Sequence, residues 1–353
     1  MPTTVTATAP VRTCDCGGWT DTWFARHGAV FHVAVNPGVR VMVHVEAAPP
    51  GPPAPVLLAA ENYGDRYMFR PGMRPWVRHA LLEAAIESVG VPHGLALEVS
   101  VRSAVPPGAS TGTSAAVCVA LVGALRALWG KKSDPDAVAR AAHAVEVHHL
   151  GQQSGVQDQY AAAHGGVNYV EIGEYPHAVR HAVAMTDEVR AALDAQLLLV
   201  YLGRTHSSTA VHQEVIAGLD RPGSPGRAAL DELRRAAAAA RAAVEAGDLA
   251  ALGTAMRGCT EGQRRLHPSL IGADAQRAID AVSAHGALGW KVNGAGGEGG
   301  SLAILCPPGE AERAGIEAAI AQASNTYRVI PTSIAPVGLQ VDLALHSARR
   351  KTA

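Results

Sequence analysis

Residues 105–125 read VPPGASTGTSAAVCVALVGAL. Prolines, glycines and Ser/Thr hydroxyls crowd the mouth of an apolar run that predicts a buried helix from Ser114 to Trp129. Small residues let backbone N–H groups approach an anion closely. A helix starting near Ser114 aims its unpaired N–H groups and positive dipole end at the same place. Phosphate is the natural guest, and the hydroxyls of Thr113 and Ser114 suit phosphate oxygens or a hydrated magnesium ion. A hydroxyl cap on a core helix leaves the same trace, so both readings stand at this point. The Walker pattern G-x-x-x-x-G-K-[ST] is absent.

Two further segments carry chemistry. AVEVHHLGQQSGVQDQYAAAHGG (144–166) holds Glu146 and Asp158 across a glycine-bounded loop. One carboxylate can hold a metal while the other orients or deprotonates an acceptor hydroxyl, the division of labour that phosphoryl transfer needs. A solvated helix-face Glu and a capping Asp fit the same letters. His148 and His149 are adjacent, point apart on a helix and read as structural. KVNGAGGEGGS (291–301) sets glycines at 294, 296, 297, 299 and 300 ahead of a strand-like run, more permissive backbone than a hairpin turn needs.

Charged residues make up 17% of the 353-residue chain and balance to a net −1, with 4% aromatics. No basic field for nucleic acid or a membrane surface results, so a small-molecule substrate is expected. The five cysteines form no C-x-x-C pair, which fits a reducing cytoplasm better than a disulfide framework or a zinc site. No apolar run reaches the length of a membrane span.

Along the chain, residues 28–46 read as a hairpin turning at Asn36-Pro37-Gly38, residues 76–89 as a helix, and LALEVSVRS (95–103) as a strand leading into the phosphate-type loop. A helix follows over Pro135–Leu150. After the strand QLLLVYLG come a Ser/Thr-rich turn, the linker RPGSPGR (221–227) and an alanine-rich helix over 227–247; RVIPTSIAPVGLQVDL supplies the last strands. Without a strict β-α-β period, the expectation is α+β with mainly antiparallel sheets.

In order, APVRTCDCGGWTD, PPGASTGTSAA and KVNGAGGEGGS resemble the three motifs of the GHMP kinase superfamily, and the likeness covers nearly the whole chain. GGWTDT and VQDQYAAAHGGVNYVEI look most like the heptose 7-phosphate kinase and L-fucose kinase branch. The resemblance implies a two-domain fold, residues 1–190 and 191–353, with a left-handed β-α-β unit around the phosphate loop. It implies ATP and Mg2+ as cofactors and phosphorylation of the anomeric hydroxyl of a heptose 7-phosphate. The alternatives are a free-sugar kinase or a non-catalytic binding relative; a homodimer is allowed for.

Residue by residue, Asp158 matches the catalytic aspartate and Arg12 the arginine that pairs with it. Glu146 and Ser114 match magnesium ligands. Gly18, Trp19, Thr20 and Asp21 match the sugar-binding turn, and Arg204 and His206 are candidates for the sugar's own phosphate. Pro107, Gly108, Ser110, Thr111, Gly112, Thr113 and Ser114 match the phosphate cradle; Gly294, Gly296 and Gly297 match the closing glycine turn, with Lys291 beside it. Ser110 and Thr111 stand where the family has Gly-Leu, a stiffening that is tolerable if the local φ is negative, and Glu298 stands where it has glycine.

Overall fold

The computed structural model describes residues 3–132, 134–204, 208–219 and 226–345. His206 and most of the expected 221–227 linker lie outside the described residues.

The first sheet grows from two long strands, β1 (Thr3–Cys16) and β2 (Gly28–Ala47), antiparallel from Thr3 opposite Val45 to Cys16 opposite Phe31. Residues 28–46, expected as a hairpin, form one continuous strand. The Asn-Pro-Gly signal is absorbed where β1 and β2 shift register between Ala9 and Val11. Pro10 and Pro37 lack donors and fall at that irregularity, while the valines on either side keep their ladder.

The sheet runs β13 (Gln340–Leu345), β1, β2, β5 (Leu95–Ser103), β3 (Val56–Ala60), β4 (Asp65–Phe69). Strand β6 (Val167–Glu174) pairs with β2 and with β7 (His177–Ala182), and β12 (Ser333–Ile334) joins β2. Only the β3–β5 pairing is parallel among the described strands. The second sheet, β11 (Arg328–Ile330), β8 (Leu197–Tyr201), β10 (Ser301–Leu305), β9 (Gly289–Val292), is antiparallel throughout. The architecture is the α+β arrangement expected, but β12 and β13 return to the first sheet, so a division at residue 190 does not separate the chain's last strands from its N-terminal half.

Helices α1 (Ala80–Val89), α2 (Thr113–Leu128), α3 (Pro135–Ala144) and α4 (Gln157–His164) gather beside the first sheet, α2 packing on both β1 and β2. Ten of the sixteen residues of α2 are buried, so it is a core helix rather than a surface one, and its end facing the phosphate-type loop is fixed by that packing. Fully burying Leu121 and Leu125 contributes about 1.5–3 kcal/mol each. The helix expected over 135–150 leaves the α form at Ala144 and continues as a π turn, Val145–His149, which carries Glu146. The helix expected from Trp76 starts at Ala80, which leaves Trp76 in the approach loop.

Between α5 (Asp187–Gln196) and the second sheet's last strands lie α6 (Ser208–Leu219), α7 (Gly226–Glu245) and α8 (Leu249–Leu266). The buried residues of α7 (Leu230, Leu233, Ala237, Ala240 and Val244 among them) recur at helical spacing and pack on α8 and β2. Helix α8 in turn lies on β9, so the two sheets are tied through this pair. Helices α9 (Ala273–Ala284) and α10 (Glu310–Ala323) pack together; α9 also lies on β9 and β10 and joins a smaller apolar core that includes Leu198, Val200, Ile304 and Ile316.

Candidate active site

A cavity of about 310 Å³ opens where the phosphate-type loop, the N-terminal ends of α2 and α4, the turn after β1 and the turn after β9 meet. Gly108, Ser110, Thr111, Gly112, Thr113 and Ser114 line it, as the sequence suggests; Pro107 does not. Gly112 caps α2 in the left-handed region at φ 70°. Ser110 is also left-handed, at φ 56°, so the condition under which it would replace glycine freely is not met, and its backbone carries a cost of about 1–2 kcal/mol. Arg12 straps the loop down. Its backbone N–H donates to Thr111 O at 2.9 Å, and its Nη1 donates to Ser110 O.

The same guanidinium grips Asp158, with Nε 2.8 Å from Oδ1 and Nη2 3.2 Å from Oδ2. Burial opposes the charge on Arg12, but Asp158, Asp15 and Asp21 outweigh it and raise its pKa. Asp158 sits in the first turn of α4, where the helix dipole also favours a carboxylate, and its side chain keeps 26% of its surface exposed to the cavity. A paired, ionised carboxylate with an open face can accept a proton from a bound hydroxyl.

Asp21, also on the cavity wall, is buried and accepts Gln157 N–H at 3.0 Å. Burial pushes its pKa up to about 6, reinforced by Asp158 and Asp15 and partly offset by the bond from Gln157. Gly155 lies directly beneath it: a Cβ there would stand 2.1 Å from Asp21 Oδ2. Trp19 and His212 meet edge to face on the adjoining wall, ring centroids 4.8 Å apart, and Trp19 Nε1 is buried without a hydrogen-bond partner among the described residues. Thr20 corrects the sequence reading. Its hydroxyl shares its one proton between Gly17 O and Ala29 O and accepts Ala29 N–H, and the residue is fully buried off the cavity wall, so it closes the turn rather than meeting a ligand. Gly18 is likewise off the wall, packed against Asp15.

Glu146 reaches the cavity from the π turn. Its Oε2 accepts Ser154 Oγ at 2.6 Å and Gln159 Nε2 at 2.8 Å, while its buried Oε1 has no partner among the described residues. Burial raises its pKa to about 7, eased by the two hydrogen bonds. Among the described residues no cluster of three or more Asp, Glu, His or Cys side chains could hold a metal. One orphaned carboxylate oxygen with the Ser114 hydroxyl on the same wall still fits magnesium, which takes few protein oxygens and fills its sphere with water and phosphate.

The glycine-rich turn is divided in its duties. Gly294 and Ala295 line the cavity, whereas Gly296 and Gly297 do not: Gly297 N–H donates to Leu270 O at 2.9 Å and bridges to Ile271. Glu298 turns away from the cavity, and its Oε1 accepts Ala273 N–H at 3.4 Å at the start of α9. Arg204 is also displaced from its expected place. It is exposed, pairs with Asp274 at 3.7 Å and is not on the cavity wall.

Sequence reading missed several neighbours. Asp15 and Asn293 bind the third motif to β1, together with the buried Lys291 already placed beside that motif by the sequence, and Gln152, Gln153 and Gln157 add amides to the wall. Gln152 also lines a shallower groove with Arg74, Trp76, His149 and Leu150. There the Arg74 guanidinium lies 4.0 Å from the Trp76 ring centroid, and Trp76 Nε1 is buried without a partner among the described residues. The tripeptides Arg-Pro-Trp and Gly-Gln-Gln give no periodic signal, and only the structure puts them side by side.

Residues 77–166 match the family model of the GHMP kinases N terminal domain. Mevalonate kinase of Pyrococcus abyssi is 38% identical over 105 residues, 29% of each chain. D-glycero-alpha-D-manno-heptose 7-phosphate kinase of Campylobacter jejuni is 24% identical over 119 residues, 34% of this chain and 35% of that one. These alignments therefore span about a third of the relatives' length. A crystal structure of a D-glycero-D-manno-heptose 1-phosphate kinase from Bacteriodes thetaiotaomicron superposes with a TM-score of 0.71 over 97% of this chain and 100% of that one, at 18% identity, which speaks for the fold.

Proposed function

We propose that this chain belongs to the GHMP kinase superfamily and is an ATP-dependent small-molecule kinase that phosphorylates a sugar hydroxyl, with Asp158 taking the hydroxyl proton. The bidentate Arg12–Asp158 pair carries this reading, because it packs directly against the N-terminal end of α2 on the wall of one cavity. Phosphoryl transfer asks for a positioned acceptor, a carboxylate at its proton and charge neutralisation at the phosphates. The loop N–H groups and the α2 dipole supply a seat for the β- and γ-phosphates, and Trp76 offers the base a stacking face in the adjoining groove. Magnesium held through Ser114 and Glu146 would neutralise phosphate charge.

The acceptor end favours a polyol. Asp21 can take hydrogen bonds from vicinal hydroxyls, Gln152, Gln153 and Gln157 offer neutral donors and acceptors, and Trp19 gives a flat apolar wall. A carboxylate at that end repels a carboxylic acid acceptor such as mevalonate. The leading substrate is a heptose 7-phosphate, phosphorylated at the anomeric hydroxyl. A free sugar is the second reading, favoured by one observation: the basic side chains lining the cavity among the described residues are Arg12, already paired with Asp158, and His212.

A panel of heptose 7-phosphates, free heptoses, fucose and mevalonate, assayed with ATP and Mg2+, tests both. Turnover of sugar phosphates supports the first reading and of free sugars alone the second. Turnover of mevalonate alone defeats the sugar assignment. Asp158→Asn is expected to abolish turnover and retain ATP binding.

A further inference from the structure

We propose that Asp15 is a positioning residue for the Arg12–Asp158 pair, turned onto it by a bulge in β1 and held there by Lys291 from the second sheet. The inference rests on the reading of Asp158 as the proton acceptor.

In a regular strand, residues three apart point to opposite faces. Arg12 and Asp15 do not, because β1 shifts register against β2 between Thr13 and Cys16 and Cys14 takes φ 55°. The bulge brings Asp15 Oδ2 to 3.7 Å from Arg12 Nη2. The third motif locks this irregularity. Asn293 Oδ1 accepts Cys14 N–H at 3.0 Å, and its Nδ2 donates to Thr13 Oγ1 at 3.2 Å and to Ser301 Oγ at 3.0 Å. Two residues earlier, and so on the same face of its segment, Lys291 places Nζ 3.2 Å from Asp15 Oδ1 and 3.0 Å from Gln263 Oε1 on α8. Asp15 Oδ2 also accepts Gly294 N–H at 2.8 Å, at the very residue that brings the third motif to the cavity wall.

Both side chains of the Asp15–Lys291 pair are fully buried. Such a pair usually costs more in lost hydration than its attraction returns, so it is poor evidence of a stabilising role. What it supplies is geometry. Asp15 gives Arg12 a second anionic contact, so the guanidinium is fixed from both sides while Nε and Nη2 hold Asp158. The charged or titratable groups acting on this cluster are Arg12, Cys14 and Cys16 on β1, His32 on β2, Asp21 in the turn after β1, Asp158 on α4, Cys259 on α8 and Lys291 on β9. Burial works against the ammonium of Lys291, but Asp15 and the thiols of Cys259 and Cys16 outweigh it and raise its pKa.

The test is Asp15→Asn combined with Lys291→Met, which removes both charges and strands neither. Measured on the fraction that binds ATP, kcat is expected to fall about tenfold or more with both KM values within twofold, as for a misplaced reacting group. Unchanged kcat, with Asp158→Asn inactive, would overturn the inference and leave the proposed function standing; turnover by Asp158→Asn would remove the reading beneath it. Should the double variant not fold, Asp15→Glu keeps the charge but displaces the carboxylate. A fall in kcat at constant KM supports positioning, and a wild-type kcat rejects it.

Discussion

Gly112 stands so close to Asp158 that a Cβ on it would lie 2.9 Å from the Asp158 carboxyl carbon. The same glycine has φ 70° and caps α2, so the position demands a left-handed backbone and a missing side chain together. Gly112→Ala is expected to cost roughly 1–2 kcal/mol in stability from the backbone alone. Its larger effect is on turnover, because Asp158 must swing away from Arg12 to make room. A kcat loss of about a hundredfold or more is expected, out of proportion to the shift in Tm. A folded Gly112→Ala enzyme with normal kcat would show that the contact has no bearing on Asp158.

The pH dependence of acceptor binding follows from Asp21. Burial raises its pKa to about 6, so it is protonated on the acid side and ionised above that value. The ionised form accepts hydroxyl protons, so the acceptor KM is expected to fall as pH rises from 5 to 7, and Asp21→Asn to flatten the profile at a higher KM. Stability runs the other way. A carboxyl with a raised folded pKa contributes stability below its unfolded pKa near 4 and loses it as pH rises to 6, by on the order of 3 kcal/mol. The Tm advantage of Asp21→Asn over wild type should therefore grow between pH 4 and 6.5; a constant difference would mean that Asp21 is not the group titrating.

Trp76 separates the two substrates. If the base stacks on its ring, Trp76→Ala removes about 1–3 kcal/mol of binding. The KM for ATP is expected to rise roughly fivefold to a hundredfold, with the acceptor KM and kcat little changed. An unaltered KM for ATP places the base elsewhere.

Asp158, Glu146 and the phosphate-type loop can be picked out in the sequence because each depends on local chemistry: a helix start, a carboxylate pair, a run of small residues; Arg12 enters only through the resemblance of APVRTCDCGGWTD. The helical repeat of α7 is legible for the same reason. The long strand β2 is not, since Asn36-Pro37-Gly38 carries every mark of a turn and only the partner strand, shifting register at Ala9, turns it into an irregularity. Asp15 escapes in the same way: strand alternation assigns it to the wrong face, and the bulge at Cys14 is set by Asn293, far off in sequence. Glycine density was a two-edged signal at 294–300, where closeness to Leu270, rather than to a ligand, accounts for Gly297.

Thr20 and Arg204 turn these corrections into a prediction about what does not matter for catalysis. The Thr20 hydroxyl is buried and bonded to Gly17 and Ala29. Thr20→Val keeps the shape and strands those backbone groups, so a stability loss of about 1–3 kcal/mol is expected. Arg204 is exposed, and its ion pair with Asp274, at 3.7 Å, contributes about 1 kcal/mol at most. For both Thr20→Val and Arg204→Ala, kcat and the acceptor KM per folded molecule should match wild type within twofold, whichever sugar is used. A selective rise in the KM of a sugar phosphate with Arg204→Ala, and none for the free sugar, would bring Arg204 back as a phosphate contact made when the substrate binds. A matched loss for both sugars with Thr20→Val would mean that the turn moves with its hydroxyl and carries Asp21 along.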